Sequence, residues 1–233
     1  MTESRVLLIT GASTGIGAAT ARQAAAAGWR VVVSARSEDR LRALAAELGD
    51  ERALAVRCDV TAWEDQQRLV AVALERFGRI DAAFANAGFG AKRGFLEEEP
   101  EFWHSMVLTN VLGPALTIRA VLPHFLENDR GHFLITSSVA GRRALPGSLY
   151  SATKHAATAI GEALRSELRQ MHQNFSVRVT LIEPGMVDTP FFESRPERAL
   201  EADDIARGVM YALEQPASVD VNEMLIRPVA QPG

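Results

Sequence analysis

The chain has 233 residues, 47% hydrophobic and 23% charged, which is the composition of a globular protein with a substantial core. Its net charge of −4, with no like-charge run longer than Glu97–Glu99, argues against a general nucleic-acid binder, for which a basic stripe is expected. Cys58 is the one cysteine, and His104, His124, His132, His155 and His172 have no ligand spacing, so neither an intramolecular disulfide nor a metal site is expected.

The chain passes from MTESR directly into an apolar run too short for a signal-peptide core or a membrane span, and a cytoplasmic location is expected. RVLLIT (5–10) reads as a buried strand, followed by a glycine loop and the alanine-rich helix GIGAATARQAAAA (15–27). RVVVSA (30–35) is a second strand, and SEDRLRALAAEL (37–48) a helix capped by Ser37. ALAVRCDV (53–60) is a third strand, followed by a helix over 61–77 capped by Thr61. IDAAFANAG (80–88) supplies the fourth strand, and one long helix runs over 101–126. GHFLITSS (131–138) is strand five, 148–173 a helix, SVRVTLIEPG (176–185) strand six, 203–214 a helix and NEMLIRP (222–228) the closing strand. Strands apolar on successive residues and separated by helices indicate a parallel sheet covered on both faces. The expected fold is a single-domain, Rossmann-type doubly wound α/β sheet of about seven strands spanning 1–233. The longest irregular segments, 86–100 and 184–202, directly follow strands, at the sheet edge where ligands bind in such folds.

TGASTGIG (10–17) places Gly11, Gly15 and Gly17 between the first strand and the first helix. Glycine lets the backbone turn tightly and approach a pyrophosphate, while the helix N-terminus presents free N–H groups and a favourable dipole. Gly11, Ser13, Thr14, Gly15, Ile16 and Gly17 are therefore the candidate cradle of a dinucleotide. The second strand ends SARS, with Ala35 where an NAD-type site wants a carboxylate, and Arg36 next. A guanidinium there can grip a 2′-phosphate bidentately, which favours NADP(H) over NAD(H).

In YSATKHA (150–156), Tyr150 and Lys154 stand four apart and so share one helix face. The chain has only two tyrosines and two lysines, so the chance expectation of such a pair is about 2%. An ammonium about 4 Å from the phenol, at an effective dielectric near 20, contributes on the order of 4 kcal/mol. That is enough to bring a phenol from about 10 toward about 7 before desolvation subtracts some, so the pair reads as a general acid/base for a carbonyl/alcohol interconversion.

TGASTGIG, NAG (86–88), a serine pair ahead of YSATK, and EPGMVDTP, in this order over essentially the whole chain, resemble the short-chain dehydrogenase/reductase family. The resemblance implies Tyr150 as the acid/base, Lys154 as the ribose-binding residue that tunes it, Ser138 as the holder of the substrate oxygen and Asn110 as the holder of a water in a proton relay. Ser137 is the neighbouring candidate, although the second serine best matches the family's position. It further implies Asp59 and Val60 at the adenine, Asn86, Ala87 and Gly88 along the ribose and phosphates, and Pro184, Gly185, Val187 and Thr189 at the nicotinamide. Leu145, Leu149, Met186, Phe191 and Phe192 suggest an apolar wall around the reacting carbon, and Arg142 and Arg143 stand near the site mouth.

The expected activity is NADP(H)-dependent hydride transfer to and from a small carbonyl compound or secondary alcohol. A non-catalytic NADP(H)-binding sensor is the alternative, and an epimerase or dehydratase is disfavoured by the glycine spacing. Helices 101–126 and 148–173 in the family usually build a homodimer or homotetramer, so an oligomer is expected; no nucleic-acid or membrane partner is.

Overall fold

The computed structural model describes residues 4–190 and 197–231. In the first strand, β1 (Val6–Thr10), Leu7 and Ile9 enter one apolar cluster and Val6 and Leu8 another. Every residue of β1 is buried, because both faces of the sheet are covered. The chain continues through α1 (Gly15–Ala26), β2 (Arg30–Ala35), α2 (Glu38–Leu48), β3 (Ala53–Arg57), α3 (Trp63–Phe77) and β4 (Ala82–Ala85). Then come α4 (Pro100–Val107), a π-turn (Leu108–Leu112), α5 (Gly113–Glu127), β5 (Gly131–Thr136), a 3₁₀ turn (Val139–Gly141) and α6 (Leu149–Gln170). The remainder is β6 (Val177–Pro184), β7 (Val187–Asp188), β8 (Leu200–Glu201), α7 (Ala202–Glu214) and β9 (Glu223–Ile226).

Seven strands form one parallel sheet in the order β3-β2-β1-β4-β5-β6-β9, and β7 pairs with β8 apart from it. Residues of α1, α2 and α7 pack on one face, and residues of α3, α5 and α6 on the other. This is the doubly wound α/β architecture expected from the sequence. The chain runs outward from β1 to β2 and β3, then returns to β4 on the other side of β1, so the loops after β1 and β4 open a crevice at the switch point. Glycine sets how closely α6 lies on the sheet: a Cβ at Gly161 would come 2.6 Å from Leu181 Cδ2.

Three local expectations are corrected. The helix of 101–126 is interrupted at its centre by the π-turn, a change in hydrogen-bond register that apolar periodicity does not reveal. Pro100–Glu127 is long enough to cross a membrane and holds an 18-residue window of mean hydropathy 1.4, yet Ile118, Val121 and Phe125 enter the core. Ser37 precedes α2 without a side-chain capping bond. Thr61 does not cap α3, which begins at Trp63; its hydroxyl donates to Asp59 Oδ1 at 2.8 Å instead. By contrast Ser148 does cap α6, accepting from Ser151 N at 3.2 Å, and so fixes the first turn that carries Tyr150.

Candidate active site

The loops after β1, β2, β3, β4, β5 and β6 line a cavity of about 930 Å³. At one end stand Arg36 and Asp59; the glycine loop forms the floor, and Ser138, Tyr150 and Lys154 stand further in. Gly11 and Gly15 have φ of +66° and +54°, in the region that favours glycine, and a Cβ at Gly11 would come 2.7 Å from Ala87 Cα. Thr14, the N-cap residue of α1, makes no side-chain capping bond, and the first turn of the helix holds no acidic residue. The N–H groups of that turn therefore remain available to an anion, which fits a dinucleotide's pyrophosphate. Gly11, Ser13, Thr14, Gly15, Ile16, Val60, Ala87, Gly88, Pro184, Gly185, Val187 and Thr189 all line the cavity.

Gly17 does not line it. A Cβ there would come 2.5 Å from Gly11 O and 2.8 Å from Asn86 Nδ2, so this glycine lets α1 close against the turn. Asn86 lines the cavity, but its side chain is engaged by the protein. Nδ2 donates to Thr10 O and Gly11 O at 3.1 and 3.3 Å, while Oδ1 accepts from Thr136 Oγ1 at 3.1 Å. Asn86 thereby ties β1, β4 and β5 together beneath the cavity.

The four residues expected to carry chemistry converge around the start of α6. Tyr150 and Ser138 are hydrogen-bonded through their side chains. Lys154 lies buried with Nζ 5.6 Å from the Tyr150 ring centroid and donates to Thr136 O at 2.8 Å. The serine pair divides cleanly. Ser137 Oγ donates to Lys154 O at 3.0 Å and shares a 2.7 Å bond with Thr158 Oγ1, so it fastens the end of β5 to α6. Ser138 Oγ faces the phenol, accepts from Ala140 N at 3.1 Å and lies 3.3 Å from Pro184 O.

Asn110 sits in the π-turn, and its side chain is also engaged. Oδ1 accepts from Phe89 N at 3.0 Å, and Nδ2 donates to Phe89 O and Thr153 Oγ1 at 2.8 and 3.1 Å. Thr153 Oγ1 donates in turn to Tyr150 O at 2.8 Å, so Asn110 locks the π-turn, the loop after β4 and the catalytic helix together. Both amide hydrogens of Asn110 are thereby committed within the protein, and Oδ1 keeps one acceptor position beyond Phe89 N.

The expected lowering of the Tyr150 phenol by Lys154 is corrected. Burial pushes the phenol up to about 12, the Ser138 hydrogen bond opposing it, and burial also pushes the Lys154 ammonium down to about 8. Desolvation disfavours both charged forms.

Leu145 and Met186 line the cavity, whereas Leu149 does not; Phe191 and Phe192 lie outside the described residues. Arg142 is no free cation at the mouth. It pairs with Glu183 at 2.7 Å and with Glu223, bracing the 3₁₀ turn against β6 and β9. Sequence analysis missed Thr136, Thr153 and Phe89 as supports of the centre, and Arg93, Arg227 and Gln231 as cavity residues. Thr153 stands inside YSATK and was legible there; Gln231, whose Oε1 accepts from Met186 N at 3.0 Å, comes from the tail and left no local signal.

A doubly wound sheet with a glycine cradle at its switch point and a hydroxyl–phenol–ammonium cluster beside it defines a nicotinamide-nucleotide oxidoreductase. The model of the short chain dehydrogenase family matches residues 5–199, and the chain belongs to that family. It is 38% identical over 234 residues to an uncharacterized oxidoreductase of Staphylococcus saprophyticus, covering 97% of this chain and 98% of the relative. An alcohol dehydrogenase from the archaeon Thermococcus sibiricus, solved with 5-hydroxy-NADP, superposes with a TM-score of 0.90 at 35% identity, covering 99% of each chain. A 3-ketoacyl-(acyl-carrier-protein) reductase from Brucella melitensis, solved with NADH, superposes with a TM-score of 0.88 at 31% identity, covering 97% of this chain and 98% of that one.

Proposed function

We propose that the protein is an NADP(H)-dependent reductase or dehydrogenase of small carbonyl compounds and secondary alcohols, formed by one catalytic domain over 1–233. The observation that carries this reading is the Ser138–Tyr150 hydrogen bond above a buried Lys154 in the same cavity as the glycine cradle. When bound, the nicotinamide supplies or accepts the hydride. A phenol holds its proton at neutral pH and burial pushes Tyr150 further up, so it is poised to donate that proton to a carbonyl oxygen as negative charge develops there. Ser138 Oγ, held by Ala140 N, offers a second donor to the same oxygen. Lys154 places an ammonium beneath the ring below about pH 8. A sensor has no need of such an enclosed donor pair.

Arg36 supports NADP(H). It is exposed at the cavity end where β2 stops, beside Ala35, with no carboxylate in the position that would repel a 2′-phosphate. The solved relatives bind either an NADP derivative or NADH, so the choice rests on this chain's own residue. A cytoplasmic homodimer or homotetramer through 101–126 and 148–173 belongs to the same reading, supported by exposed Phe102, Val107 and Leu112 on α4 and the π-turn. Tyr150→Phe tests the core claim. Reduction of carbonyl compounds should fall about 10²–10⁴-fold while NADPH binding, followed by its fluorescence, persists. Retained turnover would sink the acid/base assignment.

A further inference from the structure

The charge lining the cavity is one-sided in a protein whose net charge is negative. Six basic side chains line it, and Asp59 is the one acidic residue among the described lining. Arg36 and Asp59 belong to the adenosine end, Lys154 to the catalytic centre, and Arg142 is neutralised by Glu183 and Glu223. Arg143 has a partner of its own, and Arg93 and Arg227 line the same cavity as Tyr150. Arg93 forms no ion pair among the described residues. The nearby acidic run does not line the cavity; Glu98 Oε1 accepts from Lys92 N at 2.9 Å, and the Glu97 side chain lies against Gly94.

The backbone beside Arg93 is fastened to the catalytic helix. Gly94 N donates to Gly147 O at 2.7 Å, and the approach is so close that a Cβ at Gly147 would come 2.8 Å from Gly94 Cα. Both glycines have positive φ, +116° and +57°, so the contact uses a conformation and a clearance that other residues lack. Two residues before Gly147, Leu145 N donates to Ser151 Oγ at 3.0 Å, in the first turn of α6 next to Tyr150. Arg93 thus stands one residue from a fixed point on a path of two hydrogen bonds leading to the acid/base. The exposed Arg93 guanidinium at the cavity edge, carried beside this fixed backbone, presents a planar donor fork suited to an oxyanion.

We propose that Arg93 binds a carboxylate on the substrate, so that the enzyme acts on oxo acids or hydroxy acids rather than on neutral carbonyl compounds. This rests on the proposed oxidoreductase reading and names its substrate class. The test follows NADPH oxidation with 2-, 3- and 4-oxo acids, each against its methyl ester, in the wild type, Arg93→Gln and Arg93→Lys. At least one acid should exceed its ester in kcat/KM by about tenfold or more, the worth of a charged hydrogen bond. Arg93→Gln should collapse that acid-to-ester ratio chiefly through KM, Arg93→Lys should restore part of it, and NADPH affinity should not move. An equal fall for acid and ester would mean a structural role and overturn the proposal, as would a wild type that prefers the esters. A keto phosphate monoester preferred over every acid, with the preference lost in Arg93→Gln, would replace carboxylate by phosphate. Reduction of no carbonyl compound with either NADPH or NADH would instead overturn the oxidoreductase reading itself.

Discussion

Around Tyr150 the polar side chains are held by other residues of the chain, whereas Arg36 and Arg93 extend from the cavity rims without an ion pair among the described residues. Ser137 is bound to α6, Asn110 to Phe89 and Thr153, Lys154 to Thr136, and Asn86 to Thr10 and Thr136. A centre built this way has its geometry fixed before any ligand arrives, and what it does is set by atoms that cannot move far. The rims are built for choice of ligand, since a side chain there can be exchanged without disturbing its neighbours. Substitutions in the centre should therefore move stability and rate together, and substitutions at the rims should move specificity alone.

The sharpest way to break that contrast is Gly141→Ala. Its Cβ would run into Ser137 Oγ and come 2.7 Å from Lys154 O, prising the 3₁₀ turn from the catalytic helix. A loss of about 1–3 kcal/mol in urea denaturation, with a parallel fall in kcat, is expected. An unaffected protein would show the centre to be looser than described. At the rim, Arg36→Asp should cut the preference for NADPH over NADH by about tenfold or more, with stability unchanged to within about 0.5 kcal/mol. Unchanged selectivity would mean that Arg36 does not contact a 2′-phosphate.

A pH-dependent test of the centre concerns Lys154. Its folded-state value lies near 8, below the ordinary 10.5, so between these values the unfolded chain holds a proton that the native state has released. Stability should therefore rise with pH across that window, by no more than about 1.4 kcal/mol per pH unit. Lys154→Met should abolish the rise. An unaltered slope in the variant would assign it to other groups.

Much of the fold was legible because continuous apolar strands and helical periodicity are local signals, and seven parallel strands follow from them. The motif positions were legible for a similar reason: Gly11, Ser138, Tyr150 and Lys154 announce their chemistry by residue type and spacing. What each side chain touches was not. Gly17 resembles a ligand-contacting glycine in the sequence, yet its packing role depends on Asn86, far along the chain. Arg142 is neutralised by Glu183 and Glu223, partners that only sheet order brings together. The π-turn escaped because one altered hydrogen-bond register leaves the apolar pattern of 101–126 intact. The direction of the Tyr150 shift escaped because Coulomb attraction could be estimated from spacing, while burial could not.

Cys58 carries a practical consequence. It lies just beyond β3 in the lining of the cavity beside Asp59, 2% exposed, and burial pushes its thiol up to about 12. In the closed protein it is thus a poor nucleophile and a poor target for oxidants. Since the sequence holds no other cysteine, alkylation of the native chain would report a single event. That event is any opening that exposes the thiol, and the Asp59 N to Asp65 Oδ2 bond of 2.8 Å stands beside it. The natural sequence therefore supplies a chemical clock for opening of the cavity wall beside β3, with no engineered label.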